Sequence, residues 1–241
     1  FHQFENDFNQ KNLNNPIIKN MWGLIEEFNI SLKIVQDCIK LIKNFKVVGF
    51  IDKKNYNSAL TKKMKYLGTI SNLNKIVKGQ SLNNIMGVVA IGSNITRKEV
   101  VSEVNKLNKH FKWSNIIHPS AIISNTAKIG SGNMFLAGSI ICSDAKIDNH
   151  VSINTGTHLD HDNIFLDYSS TGPGVATGGN VKVGKLSFLG IGCTIKHNVS
   201  IGNNTVVGGQ SFVNKNCNSN TLYYGVPAKK IKQRNLYDNY L

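Results

Sequence analysis

The stretch Ile117–Val213, divided every six residues, reads IHPSAI ISNTAK IGSGNM FLAGSI ICSDAK IDNHVS INTGTH LDHDNI FLDYSS TGPGVA TGGNVK VGKLSF LGIGCT IKHNVS IGNNTV VGGQSF V. The first residue of each group is bulky and apolar, except at Thr171 and Thr177, and the fifth is usually small. A period of six fits neither a helix nor a single long strand. A repeat this short that stays in phase this long predicts a hexapeptide parallel β-helix.

Each group of six is expected to form a short strand followed by a turn, and three groups close one triangular coil. The bulky residue points into the prism, and the small residue fits near a corner. Successive coils stack at the spacing of paired strands, about 4.8 Å. Pairs such as Gly130-Ser131, Asp148-Asn149 and Gly202-Asn203 supply turn residues that tolerate unusual backbone angles.

Composition narrows the class of protein. The chain has 241 residues, 41% of them hydrophobic, and a net charge of +14. No apolar run approaches the ~18 residues of a membrane span, and the first residues lack the apolar core of a signal peptide. We therefore expect no membrane insertion and a cytoplasmic location. The positive charge indicates either an anionic ligand, such as a nucleotide or coenzyme A, or a genome that favours Lys and Asn. Nucleic-acid binding is not favoured, because the lysines are spread along the chain.

The part before the repeat alternates helical and strand patterns, after a polar segment, 1–20, that is expected to be disordered or poorly ordered. Helices are predicted over Leu24–Asn44 and Thr96–His110, and buried strands over Lys46–Asp52 and Val88–Asn94. This order predicts a small parallel, Rossmann-like α/β unit. Ligands of such units lie beyond the carboxyl ends of the strands.

The turn around His161 carries the residues most suited to catalysis. His161 is expected to face outward between Asp160 and Asp162. A neighbouring carboxylate fixes the tautomer of an imidazole and raises its basicity, as a general base requires. Gly179 falls one full coil later on the same corner, where its N–H group could stabilise an oxyanion. The alternatives are a surface histidine in an acidic turn and a plain glycine turn.

A metal site was the other possibility for the histidines. His197 falls two coils after His161, and His158 is near, so a metal site between subunits is the alternative for these histidines. A catalytic zinc needs three protein ligands, but Gly202 and Asn203 stand where a further histidine would be required. Cys38, Cys142, Cys193 and Cys217 are scattered without metal-like pairing, which fits a reducing compartment. No metal is expected.

These motifs resemble a known family. The six-residue groups, the His161-Asp162 pair, the run Thr177–Gly184 and the closing Gly225–Lys229 are similar to bacterial sugar acetyltransferases of the left-handed β-helix superfamily, of the PglD and NeuD types. The likeness covers about Lys33 to Lys232 and is strongest after Asn115. It implies a Rossmann-like nucleotide-sugar-binding domain over 21–114, a left-handed β-helix over 115–232 and a C-terminal tail over 233–241.

The resemblance also implies a mechanism. The protein would be a homotrimer that binds acetyl-CoA in a groove between neighbouring β-helices and a nucleotide-sugar in the N-terminal domain. His161 would take a proton from the acceptor, Asp162 would orient it, and the Gly179 N–H would hold the oxyanion. No covalent acyl-enzyme is expected.

Further site residues follow from the resemblance by position. Contacts with acetyl-CoA are implied at Ser170, Ile191 and Gly209, although Ser170 stands where a relative has histidine. Contacts with the substrate are implied at Asp52, Lys53, Gly92 and Asn94.

Two segments depart from the family pattern. Glu26–Leu32 lacks the glycine-rich loop that would let phosphate approach the first helix. This leaves open that nucleotide-sugar binding is altered, that the first strand differs or that the gene has decayed. Leu166 replaces a glycine that the family usually has, so the turn that follows the base is expected to change.

Three hypotheses therefore remain. The first is an acetyl-CoA-dependent N-acetyltransferase that acts on a UDP-4-amino-4,6-dideoxy sugar for glycan or polysaccharide synthesis. The second is an O-acetyltransferase of sialic acid or a related nonulosonic acid, since both reactions need the same base. The third is a decayed or non-enzymatic homologue.

Overall fold

The structure is a computed structural model that describes residues 20–24, 38, 41, 47–53, 65–78 and 85–240. Its N-terminal part contains a five-stranded parallel sheet in the order β3-β2-β1-β4-β5. The strands are β1 Asn20–Leu24, β2 Val47–Ile51, β3 Tyr66–Gly68, β4 Ile85–Val89 and β5 Lys112–Trp113. The helices are α1 Leu73–Lys78, which follows a 3-10 turn Ile70–Asn72, and α2 Asn94–Leu107. This strand order is that of a doubly wound, Rossmann-like sheet.

The central strand β1 was not predicted. It occupies Asn20–Leu24, at the border between the polar segment 1–20 and the predicted helix Leu24–Asn44. A central parallel strand needs no alternation of polar and apolar residues, so its period does not reveal it. Within that predicted helix, Cys38 and Leu41 are helical. The rest of it, including the segment Glu26–Leu32 without the glycine loop, lies outside the described residues.

The remaining strands form a β-helix with three faces, and they pair in parallel except for the last strand of the chain, which is antiparallel to its neighbour. Face I comprises β6 Ile116–Ile117, β9 Met134–Phe135, β12 Ser152–Ile153, β15 Ser170–Thr171, β18 Phe188–Leu189, β21 Val206–Val207, β23 Thr221–Gly225 and β24 Ala228–Gln233. Face II comprises β7 Ile122–Ile123, β10 Ile140–Ile141, β13 His158–Leu159, β16 Ala176–Thr177, β19 Thr194–Ile195 and β22 Phe212–Val213. Face III comprises β8 Lys128–Ile129, β11 Lys146–Ile147, β14 Ile164–Phe165, β17 Lys182–Val183 and β20 Ser200–Ile201.

The register of the coils follows the six-residue repeat. His158 pairs with Ile140 in the coil before it and with Ala176 in the coil after it. Successive coils are therefore in register, and each one repeats the same three turns. The second residue of most strands is buried in one continuous apolar core. The two threonines that interrupt the apolar column are also buried, and their hydroxyls accept turn N–H groups. Thr171 accepts from Asn154 at 2.9 Å, and Thr177 accepts from the Asp160 N–H at 3.3 Å.

Asn94 joins helix α2 to the β-helix. Its side-chain amide donates to the carbonyl oxygens of Leu186 and Ser187 at 3.2 and 3.1 Å. Its side-chain oxygen accepts from Arg97 at 2.7 Å and from the Ser170 hydroxyl at 2.6 Å. Every donor and acceptor of this buried amide is therefore in use within the protein.

Arg97 completes this connection as a fully buried cation. Its guanidinium donates to the carbonyl oxygens of Ile91 at 2.8 Å, His150 at 2.9 Å and Tyr168 at 3.1 Å. Burial lowers the pKa of Arg97 to about 10, so the group keeps its charge at neutral pH. The charge is offset by carbonyl dipoles and by the Asn94 side chain.

The C-terminal tail reinforces the same contact and is not helical. The Tyr240 hydroxyl accepts the Asn94 backbone N–H at 2.7 Å, and its ring packs on Phe188 with centroids 4.9 Å apart. Arg234 lies over the Tyr240 ring, and the Tyr237 hydroxyl donates to Glu99 at 3.0 Å. Residues 234–240 contain one turn and no helix.

The turn that begins at Leu166 contributes to the contact between the α/β unit and the β-helix, and it is separate from the turn that carries His161. Tyr168 follows Leu166 at the corner between faces III and I, packs against the core of the α/β unit and stacks on His150. Burial, with the charge of Arg97, lowers the pKa of His150 to about 4, so that ring is neutral at pH 7. The turn that contains Leu166 follows the base in the chain but lies on a different corner of the prism from His161.

Replacing Asn94 by alanine is expected to lower the free energy of unfolding by about 2–4 kcal/mol, because it removes one acceptor of the buried Arg97 cation and one donor each from the Leu186 and Ser187 carbonyls. Urea denaturation followed by circular dichroism measures this. Ser170→Ala is the matched control, since it removes one hydroxyl from the same network and should cost about 1 kcal/mol. Equal losses in the two variants would contradict the central role of Asn94.

Candidate active site

The catalytic candidates lie on one corner of the prism, between faces II and III. We call it the His161 edge, the column of turn positions Ser143, His161, Gly179, His197 and Lys215. The residue after each of the first four has a left-handed backbone, with φ between 57° and 61°. Those residues are all Asp or Asn, the side chains that adopt this conformation most readily. Hydrogen bonds between successive turns stack the column, as in the 2.9 Å bond from the Asn180 N–H to the His161 carbonyl.

His161 is held by its neighbour Asp162. Nδ1 of His161 lies 2.8 Å from Oδ2 of Asp162, and the two side chains are 60% and 58% exposed. An ionised carboxylate only accepts hydrogen bonds, so Nδ1 carries the proton and Nε2 is left with a free lone pair. The hydrogen bond to Asp162, and then the charge of Asp160, raise the pKa of His161. This arrangement suits a general base.

The turn beneath His161 is fixed by its own side chains. Oδ1 of Asp160 accepts the His161 N–H at 2.8 Å. The hydroxyl of Thr177, in the next coil, accepts the Asp160 N–H at 3.3 Å. The buried Asn163 amide donates to the carbonyls of Asp160 at 2.6 Å and Gly178 at 3.0 Å. The backbone that carries the exposed imidazole is therefore rigid.

Gly179 lies directly against the His161 ring. A Cβ atom added to Gly179 would lie 2.4 Å from both Cε1 and Nε2 of His161. The free nitrogen of the imidazole therefore sits over a position that admits no side chain. Among the described residues, no hydrogen bond uses the Gly179 N–H. The spacing of one coil between these two residues thus brings a base and a free N–H donor together.

The positions implied for acetyl-CoA separate into two groups. Ile191 and Gly209 follow one another on the corner between faces I and II, where the Ile191 side chain is 60% exposed. Ser170 instead lies on face I, where it is buried and donates its hydroxyl to Asn94. The hydroxyl of Ser170 is therefore already used within this chain, and its contact with the cofactor stays a prediction.

The positions implied for the sugar substrate also divide. Asp52 is buried at the carboxyl end of β2, Lys53 after it is exposed, and Gly92 is exposed in the turn before α2. These three lie where ligands of parallel sheets bind. Asn94 differs, because its amide and its backbone N–H already form hydrogen bonds with the β-helix and with Tyr240, and its contact with a substrate stays a prediction. The sequence offered no signal for this, since the partners are far apart in the chain.

The described residues also bear on a metal site and on a membrane span. Among the described residues, no group of three or more His, Cys, Asp or Glu side chains could hold a metal ion. No helix within the described ranges is long and apolar enough to cross a membrane. His158 lies on face II, with its Nε2 3.4 Å from Sγ of Cys142.

The pH dependence of the base gives a direct test of Asp162. We expect Asp162→Asn to lower kcat about 10- to 100-fold, because it removes the carboxylate charge that stabilises the imidazolium and replaces an acceptor-only group by an amide that fixes the tautomer less strictly. Asp162 raises the pKa of His161, and the base must be unprotonated, so the acidic limb of the kcat profile should move to lower pH in the variant. Asn tolerates the left-handed backbone at this position, where φ is 58°. A pH profile that keeps its acidic limb in place would contradict the role of Asp162.

Comparison with known proteins supports this reading of the fold. A family model described as the PglD N-terminal domain matches residues 33–104. A mutant perosamine N-acetyltransferase from Caulobacter crescentus, solved in complex with CoA and GDP-perosamine, is 27% identical with a TM-score of 0.81. That alignment covers 90% of this chain and 98% of the other.

Two more distant structures share the fold. The acetyltransferase domain of PglB from Neisseria gonorrhoeae, in complex with acetyl coenzyme A, is 22% identical, with a TM-score of 0.78 over 88% of this chain and 100% of that one. WeeI from Acinetobacter baumannii is 20% identical, with a TM-score of 0.70 over 88% and 100% of the two chains. Together, these comparisons confirm the predicted fold class and the predicted resemblance to acetyl-CoA-dependent sugar acetyltransferases of the left-handed β-helix type.

Proposed function

We propose that this protein transfers the acetyl group of acetyl-CoA to the amino group of a nucleotide-linked sugar. The predicted acceptor is a UDP-4-amino-4,6-dideoxy sugar, and the product would serve glycan or polysaccharide synthesis. The observation that carries the proposal is the contact between His161, oriented by Asp162 at 2.8 Å, and the bare backbone of Gly179. A GDP-linked acceptor has equal chemical standing, because the 27% identical relative was solved with GDP-perosamine.

The reaction follows from these groups. The amine nitrogen attacks the thioester carbonyl carbon, and Nε2 of His161 removes the proton that the amine loses. The carbonyl oxygen becomes an oxyanion, which the Gly179 N–H stabilises. The intermediate then collapses, the C–S bond breaks, and the CoA thiolate takes the proton from His161. Asp162 stabilises the imidazolium between the two transfers. No step needs a covalent acyl-enzyme.

The proposed assembly is a homotrimer in the cytoplasm, with the catalytic groove closed by a neighbouring copy. The support is that His161 is 60% exposed in a single chain, whereas base and oxyanion catalysis work best in a site shielded from water. The described cysteines are free, which fits a reducing compartment. Light scattering should give the mass of three chains, and a fully active monomer would remove the shared groove.

The activity is tested by thiol release from acetyl-CoA with three acceptors in parallel. These are a UDP-4-amino-4,6-dideoxy sugar, GDP-perosamine and sialic acid. We expect release with an amino-sugar nucleotide and none with sialic acid. Release with sialic acid alone would reassign the protein to O-acetyl transfer. Silence with all three, in a protein that still binds acetyl-CoA, would favour a decayed homologue.

A further inference from the structure

A buried amide interrupts the apolar core directly behind the His161 edge. The position just before each strand of face III is buried in every coil, and it is occupied in turn by Ala127, Ala145, Asn163, Val181 and Val199. Of these five residues, only Asn163 is polar. It stands in the turn that carries His161, so the exception to the apolar pattern coincides with the candidate base.

The Asn163 side chain gathers carbonyl oxygens from two successive turns. Its Nδ2 lies 2.6 Å from the carbonyl oxygen of Asp160, 3.0 Å from that of Gly178 and 3.4 Å from that of His161. Carbonyl oxygens only accept hydrogen bonds, so the nitrogen of the amide, and not its oxygen, faces all three. The turn that carries the base and the turn one coil later are thus tied together from inside the prism.

The carbonyl of Gly178 belongs to the same peptide unit as the N–H of Gly179. This unit is trans and planar, so its C=O and N–H bonds point in opposite directions. Because the carbonyl points inward to the buried Asn163 amide, the N–H points outward, to the surface that carries the His161 ring. A peptide with glycine on both sides has few steric restraints of its own. The hydrogen bond from Asn163 supplies the restraint that the side chains do not.

The equivalent peptide one coil earlier shows the effect of glycine at position 178. There, the Asp160 carbonyl also accepts from Asn163, but the following N–H, that of His161, donates to Oδ1 of Asp160 at 2.8 Å. Gly178 is the counterpart of Asp160 in the next coil and has no side chain to offer. Asn163 therefore holds two stacked peptides, of which the first has its N–H occupied and the second, among the described residues, has it free.

Stability alone does not account for an amide at this position. Oδ1 of Asn163 is buried and has no hydrogen-bond partner within the part of the chain that the structure describes. A buried acceptor without a partner lowers stability, and the alanine and valine of the adjoining coils avoid that loss. A residue that breaks the local pattern in this way is typical of a functional site.

We propose that Asn163 is a positioning residue for acetyl transfer, which holds the Gly178-Gly179 peptide with its N–H directed at the thioester oxygen. This inference rests on the proposed function and deepens it. The same hydrogen bond also polarises the peptide, since a carbonyl that accepts a hydrogen bond makes the N–H of its own amide a stronger donor. Asn163 is fully buried, so it acts through Gly179 and touches no substrate itself.

The test measures steady-state thiol release in the full-length protein with Asn163→Ala and, separately, Asn163→Val. These changes copy the residues of the coils before and after, Ala145 and Val181, so the coil can accommodate them. Each should lower kcat at least ~10-fold, because the released peptide no longer keeps its N–H in the productive direction. KM for acetyl-CoA and for the amino-sugar nucleotide should stay within about 2-fold of the wild type, as expected for a contact that matters in the transition state. The melting temperature should change by no more than about 5 °C.

Thr205→Val is the matched control. The Thr205 hydroxyl is also buried and donates to a carbonyl of the following coil, that of Asn218 at 2.7 Å, but it lies on the corner between faces III and I. Its loss removes a comparable hydrogen bond without affecting the peptide next to the base. The kcat of this variant should equal that of the wild type.

A double-mutant cycle separates the oxyanion peptide from the base, because Asn163 also bonds the turn that carries His161. If Asn163 acts through the Gly179 N–H, then Asn163→Ala should lower kcat by a similar factor in the His161→Ala background. The acidic limb of the kcat profile should also stay in place in Asn163→Ala, since the groups that raise the pKa of His161 are Asp162 and Asp160.

Four results would overturn the proposal. They are an unchanged kcat in Asn163→Ala, a loss that vanishes in the His161→Ala background, an equal loss in Thr205→Val, or failure of both Asn163 variants to fold, which would make the amide a structural residue. A wild type that releases no thiol with any acceptor would instead refute the proposed function, so the two failures are distinguishable.

Discussion

Replacement of His161 by alanine is expected to lower kcat at least ~100-fold, because it removes the group that takes the proton from the attacking amine. The side chain is 60% exposed, so the free energy of unfolding should stay within about 0.5 kcal/mol of the wild type. CoA binding should also persist, because the imidazole is assigned to proton transfer. Thiol release at saturating substrates measures the effect.

The control for this variant is His110→Ala, which removes another exposed imidazole after helix α2. Its kcat should equal that of the wild type. Near-normal turnover in His161→Ala would refute general-base catalysis on this edge. A large loss accompanied by lost CoA binding would show that His161 acts in binding instead.

Gly179→Ala should lower kcat by about 100-fold without unfolding the protein. The added methyl group would occupy the place of the imidazole, 2.4 Å from Nε2, so the ring of His161 must move away. A displacement of about 1 Å in a catalytic group is enough for a loss of this size. Gly179 is not among the glycines with positive φ, so alanine fits its backbone. Because the His161 ring is exposed, it can move away from the added methyl group with little loss in the free energy of unfolding.

A double-mutant cycle makes this prediction specific. If the methyl group acts by displacing His161, then Gly179→Ala should have almost no further effect in the His161→Ala background. A further large loss in that background would mean that the methyl group obstructs the thioester itself. Both results are read from kcat, with melting temperatures to confirm that each variant is folded.

The sequence predicted the β-helix and the stacking of its site because both follow from one local rule. A period of six fixes which residue of each group points inward, and three groups fix the coil. That arithmetic alone brings Gly179 over His161, as the structure has it. Asp162 adjoins His161 in the chain, so their hydrogen bond was also within reach of the sequence.

The contact between the α/β unit and the β-helix could not be predicted from the sequence, because it follows no local rule. Tyr240 and Asn94 are separated by 146 positions, and no periodic pattern links them. Asn94 in a glycine turn before a helix resembles a ligand-binding residue whether its partner is a phosphate or a tyrosine. The hydrogen bond from Ser170 to Asn94 was out of reach in the same way, because position in a repeat does not reveal which face the α/β unit covers. Strand β1 was missed because five residues carry too little pattern.

Arg97 determines how the contact between the α/β unit and the β-helix responds to salt and to pH. Each oxygen that receives its protons belongs to an amide, either of the main chain or of Asn94, and none belongs to a carboxylate. Dissolved salt therefore has no ion pair to screen at this junction, and mild acid has no anion there to neutralise. The junction should stay closed across the range of ionic strength that screens exposed ion pairs such as that of Lys185 with Asp167.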